Sequence, residues 1–187
     1  MKSSTERISD PNLRAHLSDG TLVGTWKLDP KRSTVQLLNR SMGGLIRAKG
    51  TFTQLSGDGV IAPNGDVTGR LILEAASIDT KNKKRDDHLR SADFFNVDAS
   101  PHLEFTVEQL NWSREELALK GALQIRDVVR PLEVPITITM PGDGVVQLEC
   151  DIVIDRAEFG IDWNRMGVVS MKNTITARAV FTRIDHP

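Results

Sequence analysis

Tyrosine is missing from this chain of 187 residues, and the other large aromatics are scarce, at six phenylalanines and three tryptophans. Cysteine is nearly missing too. The one thiol, Cys150, cannot form an intrachain disulfide, which removes a disulfide framework and leaves a reducing compartment open. No lysine or arginine block interrupts a near balance of 24 basic and 25 acidic residues, so neither nucleic acid nor an anionic membrane surface is indicated as a partner. No apolar run approaches the length of a transmembrane helix. The first residues, Met1 to Gly20, carry Lys2, Glu6, Arg7, Asp10, Arg14, His16 and Asp19 and lack the apolar core of a signal peptide, so nothing in them routes the chain to export. The histidines His16, His88, His102 and His186 are scattered, with no pair at ligand spacing on one element, so no metal is expected. Neither a phosphate-cradling glycine loop nor a G-x-S-x-G elbow is present.

What the chain has is two-residue periodicity. Val67, Gly69, Leu71, Leu73 and Ala75 alternate with Thr68, Arg70, Ile72 and Glu74, and Leu103, Phe105 and Val107 alternate with Glu104, Thr106 and Glu108. The same pattern runs through Leu117 to Ile125, Leu132 to Met140 and Val146 to Ile154. Successive side chains of a strand face opposite ways, so each run has one apolar and one largely wet face. Ser56-Gly57-Asp58-Gly59, Pro63-Asn64-Gly65-Asp66 and Pro141-Gly142-Asp143-Gly144 read as turns between them. The reading is all-β and antiparallel. Alternation alone leaves a sandwich and a closed barrel equally open. Glu115-Glu116 before a strand reads as a solvated turn, and a short helix is expected around Asn12 to Leu17.

One segment departs from this pattern. Ser77-Ile78-Asp79-Thr80, then Arg85-Asp86-Asp87-His88-Leu89-Arg90-Ser91-Ala92-Asp93-Phe94-Phe95, reads as a charged helix near residues 82–95, capped by Asp79 or Thr80 and anchored by Leu89, Phe94 and Phe95. Asp87 and Ser91 share a helical face, as do Arg85, His88 and Ser91, but that spacing does not converge base and nucleophile on an oxyanion hole.

Together with Trp26-Lys27-Leu28-Asp29-Pro30, Gly50-Thr51-Phe52, the run Gly121 to Leu132, and Arg156-Ala157-Glu158-Phe159-Gly160-Ile161 with Trp163-Asn164, this segment resembles the YceI-like family of polyisoprenoid-binding proteins. The motifs keep the family's order from about Val23 to Ile184. One departure is that the family's second strand carries an aromatic residue and a histidine where this chain has Leu37 and Ser41.

The resemblance implies an up-and-down, lipocalin-like barrel of about eight strands spanning residues 22–187, behind a polar leader at 1–21, with the helix as a lid on one end. It also implies a carrier that needs no cofactor and holds an isoprenoid quinone, a polyprenyl chain or a fatty amphiphile, and, against the family's exported members, a cytoplasmic location. The expected lining is Leu37, Phe52, Leu71, Leu73, Arg85, His88, Phe94, Phe105, Leu119, Gly121, Leu123, Val134, Ile136, Leu148, Ile152, Phe159 and Trp163. Gly69, Ala75, Gly121, Ala177 and Ala179 are expected to leave the interior room. Two rival readings are an enzyme using the lid cluster as acid and base, and a solidly packed barrel whose partner is another polypeptide, a second copy of the chain included.

Overall fold

The computed structural model describes residues 12–41, 44–112, 116–164 and 167–184, so most of the leader, Glu115 and His186 lie outside the described residues. Helix α1 (Leu13–Ser18) precedes strands β1 (Gly24–Leu28), β2 (Thr34–Ser41), β3 (Ile46–Phe52), β4 (Leu55–Ile61), β5 (Val67–Glu74) and β6 (Ile78–Asp79). Helix α2 (Lys83–Arg90) follows, then β7 (His102–Trp112), β8 (Leu117–Ile125), β9 (Val128–Gly142), β10 (Val145–Asp155) and β11 (Val169–Ile184).

Strands β1, β4, β5, β7, β8, β9, β10 and β11 pair antiparallel in that order, and β11 pairs back onto β1, which closes an eight-stranded barrel. Strands β1 and β2 lie end to end along β11, with Leu28 opposite Phe181 and Thr34 opposite Arg178. The break between them is stitched to β11 by Ser33, whose hydroxyl donates to the Asp29 carbonyl at 2.7 Å and accepts from the Val180 amide at 2.9 Å. The β3–β4 and β5–β6 runs are broken in the same way, at Thr53–Gln54 and at a 3-10 turn over Ala75–Ser77. At one end the sheet therefore closes through β5–β7, and at the other β2, β3 and β6 form a flap.

The hairpin β9–β10 turns at Gly144, whose φ of +64° is left-handed and suits glycine. Ser56–Gly59 is not a turn. It lies inside β4, where a Cβ on Gly57 would stand 2.7 Å from the Arg70 carbonyl oxygen, so glycine here permits close approach of β5. Gly121 is a stronger case, since a Cβ there would stand 1.9 Å from the Thr106 carbonyl oxygen, beside a register shift between Val107 and Gln109. Such a bulge bends the strand and crowds its neighbour. Gly69 likewise lies close to the Asp58 carbonyl but still borders the barrel interior, whereas Gly121 provides no interior room.

Helix α2 ends earlier than the sequence reading, and neither Asp79 nor Thr80 is its cap. Asn82 caps it, accepting from the Arg85 amide, while the buried Asp86 reaches back to accept from the Thr80 amide (2.9 Å) and hydroxyl (2.5 Å). Arg90 donates to the Ala76 and Ile78 carbonyls and Arg85 to the Thr80 carbonyl, which fastens the helix along β6. Phe95 is buried below it. At the opposite end α1 packs Leu13 against Leu22, Trp26, Leu117, Ile138 and Val146, and the Trp26 indole donates to the Leu22 carbonyl. No helix among the described residues is long and apolar enough to cross a membrane.

Candidate functional site

Inward side chains of the strands do not fill the barrel. Beneath α2 lies a chamber of about 340 Å³, within the range of ~300–1,000 Å³ common for small-molecule sites. A second, of about 160 Å³, lies beneath α1. Five residues line both: Leu71, Phe105, Val134, Cys150 and Ala177, one each from β5, β7, β9, β10 and β11. They form a ring of side chains bordering both spaces.

Of the residues expected from the sequence, Leu37, Phe52, Leu71, Leu73, Arg85, His88, Phe94, Phe105, Leu123, Val134, Ile152 and Trp163 line the chamber under α2. Leu119, Ile136 and Leu148 line the one under α1. Gly121 and Phe159 line neither. Gly121 is spent on the close approach to Thr106, and Phe159 is buried at the end of a 3-10 turn (Arg156–Phe159), packed into the core. Ser41, which stands where the family has histidine, lies on the chamber wall beside Asn39.

An aromatic group closes the α2 chamber. His88 meets Phe94 and Trp163 edge-on, with centroids 4.9 and 4.5 Å apart, and Phe94 and Trp163 are 5.5 Å from each other. The outer imidazole nitrogen, Nε2, lies 3.2 Å from the Asp93 carboxylate. Other polar groups of α2 and its C-cap have structural partners: Asp87 pairs with Lys83 and Arg90, and the Ser91 hydroxyl donates to the backbone carbonyl of His88 instead of its ring. No nucleophile–base contact forms in this cluster among the described residues. No group of three or more potential metal ligands occurs there either.

The polar lining residues that sequence reasoning missed include Gln36, Thr80 and Glu104 and, of most consequence, Asn39, Asn173 and Arg156. Asn39 Nδ2 donates to Asn173 Oδ1 (2.9 Å) and to the Ser170 carbonyl (2.8 Å). Arg156 is 5% exposed, lines the α2 chamber, and donates from Nε to the Ser170 carbonyl (3.2 Å) and from Nη1 to the Ile161 carbonyl (2.8 Å). Its guanidinium lies over Phe94, 5.6 Å from the ring centre. Burial pushes its pKa below the usual arginine range, while the charges of Asp155 and Asp162 act to raise it. Arg156 opens the R-x-x-F-G-I motif, but it sits on a 3-10 turn, where two-residue alternation says nothing about direction.

Solved structures share this fold. BcnA of Burkholderia cenocepacia superimposes with a TM-score of 0.74 at 19% identity, covering 82% of this chain and 98% of that one. A polyisoprenoid binding domain from Saccharophagus degradans, implicated in plant cell wall breakdown, gives 0.70 at 13% identity, covering 85% and 98%. A UPF0312 protein of Staphylococcus epidermidis is 29% identical over 139 residues, 68% of this chain and 79% of that relative. Protein YceI of Shigella flexneri is 34% identical over a shorter stretch of 71 residues, 38% of this chain and 37% of that protein. The YceI-like domain model matches residues 26–181, from the first barrel strand to the last, and the chain belongs to the YceI-like family.

Proposed function

We propose that this protein is a non-enzymatic binder of a long-chain isoprenoid or similar amphiphilic lipid, whose tail occupies the barrel interior. The observation that carries the reading is the pair of apolar chambers that share Leu71, Phe105, Val134, Cys150 and Ala177 as a common wall, an arrangement suited to an elongated apolar chain. The likeness in fold to a polyisoprenoid binding domain supports the isoprenoid class. Unfilled apolar space forfeits dispersion contacts, and a bound chain restores them.

Transfer of about a dozen methylenes contributes roughly 10 kcal/mol, and association costs of ~4 kcal/mol or more leave about 6 kcal/mol, a Kd in the tens of micromolar. Each further methylene improves that by about fourfold until the space is full. Tail length therefore dominates affinity.

The test is titration of the purified protein with prenyl alcohols of increasing length, geraniol, farnesol and geranylgeraniol, read by quenching of Trp163 in the chamber wall. Affinity rising with length supports the reading. Absence of saturable binding by any of the three, or affinity independent of length, overturns it.

A further inference from the structure

Apolar side chains exposed singly over a surface are ordinary, but a cluster of them marks a contact. Leu45 is 86% exposed and Ile46 50%, at the tip of the β2–β3 hairpin, and Val168, 45% exposed, immediately precedes β11. The register brings them together, since Ser41 of β2 pairs with Ile46 on one side and with Val169 on the other. Ser41, Ile46 and Val169 also line the chamber under α2. Ile46 thus belongs to both surfaces, and the apolar tip runs on from solvent into the interior.

One residue pair behind the tip, Arg40 and Arg47 stand directly opposite each other. Their neighbours Asn39, Ser41, Ile46 and Ala48 line the chamber, so alternation turns both arginines to the outer face of the flap, where both are exposed. Lys49 lies further along the same face and is exposed too. None of the three forms an ion pair among the described residues, and the acids that the register places nearby already have cations: Asp79, opposite Thr51, pairs with Lys81, and Asp155 stands opposite Lys172. Like charges directly opposite in a sheet repel. Charge on an edge strand guards against unwanted pairing, which accounts for Arg47 and Lys49 on β3 but not for Arg40, whose strand lies between β3 and β11. Nor does such a guard account for Leu45 and Ile46 left uncovered beside it.

Apolar residues in front and cations just behind match the layering of a bilayer surface, where acyl chains lie beneath anionic head groups. At about 3.3 Å per residue, the arginines reach head-group level when the tip enters by one or two residues. Resting on the lipid-binding reading above, we infer that the β2–β3 tip, with Val168, docks on an anionic lipid bilayer and sets the rim of the α2 chamber against it. An apolar ligand then passes between membrane and barrel without crossing water. The sequence has no basic block to announce this surface because Arg40 and Arg47 meet only through the hairpin.

The experiment sediments the purified full chain with vesicles of phosphatidylcholine alone or with one-third phosphatidylglycerol, at low and high salt. A basic group at an anionic surface is worth about fivefold, so the two arginines predict a preference for the anionic vesicles of roughly 25-fold at low salt, shrinking at high salt. Replacing both, Arg40→Gln with Arg47→Gln, should bring the preference to about fivefold or less. Leu45→Ser should weaken binding to both kinds of vesicle by roughly 10-fold and leave their ratio unchanged. These residues are exposed and outside the chamber lining, so the variants should keep the parental affinity for geraniol in solution. A parent that binds neither vesicle, or both equally, overturns the docking surface, and so does a preference that survives loss of both arginines or binding that Leu45→Ser leaves untouched. Prenyl alcohol titration without vesicles tests the chamber separately: its failure removes the lipid-binding reading and the transfer role with it, whereas its success beside absent vesicle binding overturns docking alone. A dimer that forms without vesicles and is broken by Leu45→Ser would give the tip to a second copy of the chain and overturn the membrane assignment.

Discussion

Substitution of Gly121 by alanine adds one methyl group, and the barrel has nowhere to put it. The new Cβ would stand 1.9 Å from the Thr106 carbonyl oxygen, 2.9 Å from its carbon and 3.2 Å from the Val107 Cα, whereas ordinary contact begins at 3.4 Å. All three obstacles are backbone, so no rotamer change clears them. Strand β7 must move away from β8 at its bulge, which strains the flanking ladder between Val107–Gly121 and Gln109–Lys120. Overpacking that shifts backbone costs ~1–3 kcal/mol, and the upper end applies because the overlap exceeds an ångström. At about 2–4 °C per kcal/mol for a chain of this size, the melting temperature should fall by roughly 6–12 °C. The internal control is Gly142→Ala, where nothing lies within 4 Å and φ is not left-handed, so the change should stay within about 0.5 kcal/mol. Thermal unfolding followed by circular dichroism reads both. Equal melting temperatures for the two variants would refute the reasoning, and so would a Gly121→Ala protein that keeps its stability but loses prenyl alcohol binding, since that would put the glycine at the cavity.

Ala177→Leu adds bulk to the ring of side chains that borders both chambers, so it should weaken geranylgeraniol far more than geraniol, by about fourfold for each methylene kept out of the α1 chamber, and a uniform loss across the length series would count against the threaded arrangement. Phe94→Ala removes the ring that contacts His88, Trp163 and Arg156, and stopped-flow dissociation should be faster than in the parent while the melting temperature changes little; early melting with a parental release rate would make the segment core scaffold. Asp86→Ala leaves the buried Thr80 amide and hydroxyl without their acceptor, which predicts a loss of ~1–3 kcal/mol and a drop of about 2–12 °C in the same unfolding assay.

The strands were legible because their side-chain period is local: Leu117 to Ile125 and Leu132 to Met140 announce one buried face whatever their neighbours are. The turns at Asn64-Gly65 and Gly144 were legible for the same reason. The role of Gly57 was not, because glycine is a turn signal locally, and Gly121 read as a space-maker in its strand, while the cause in both cases is a carbonyl on the paired strand. The cap of α2 was misjudged because Asp79, Thr80 and Asn82 are all competent caps, and what decides among them is Asp86 claiming the Thr80 amide, leaving Asn82 to cap. Alternation likewise marks Leu71, Val134 and Ala177 as inward without saying whether anything fills the space between them. Arg156 was beyond reach for a further reason, since a cation in a motif reads as surface until its carbonyl partners on Ile161 and Ser170 are seen to draw it inside.

The arginines of α2 have a bearing on more than the cavity. Ala76, Ile78 and Thr80 are alternate residues, so their carbonyls point to the side of β6 away from β3, along a border that no strand covers among the described residues. An uncovered strand border of this kind is a template on which another copy of the chain can add its own strand. Arg85 and Arg90 occupy those acceptors with side chains, which end the sheet as a partner strand would without offering a further ladder. A lid that lifted as one rigid piece would bare the template each time ligand passed, so the arrangement favours exchange by local rearrangement of Phe94 and Trp163 while both arginines stay in place. An element that enclosed a guest in this way would at the same time keep one barrel from adding its strands to another.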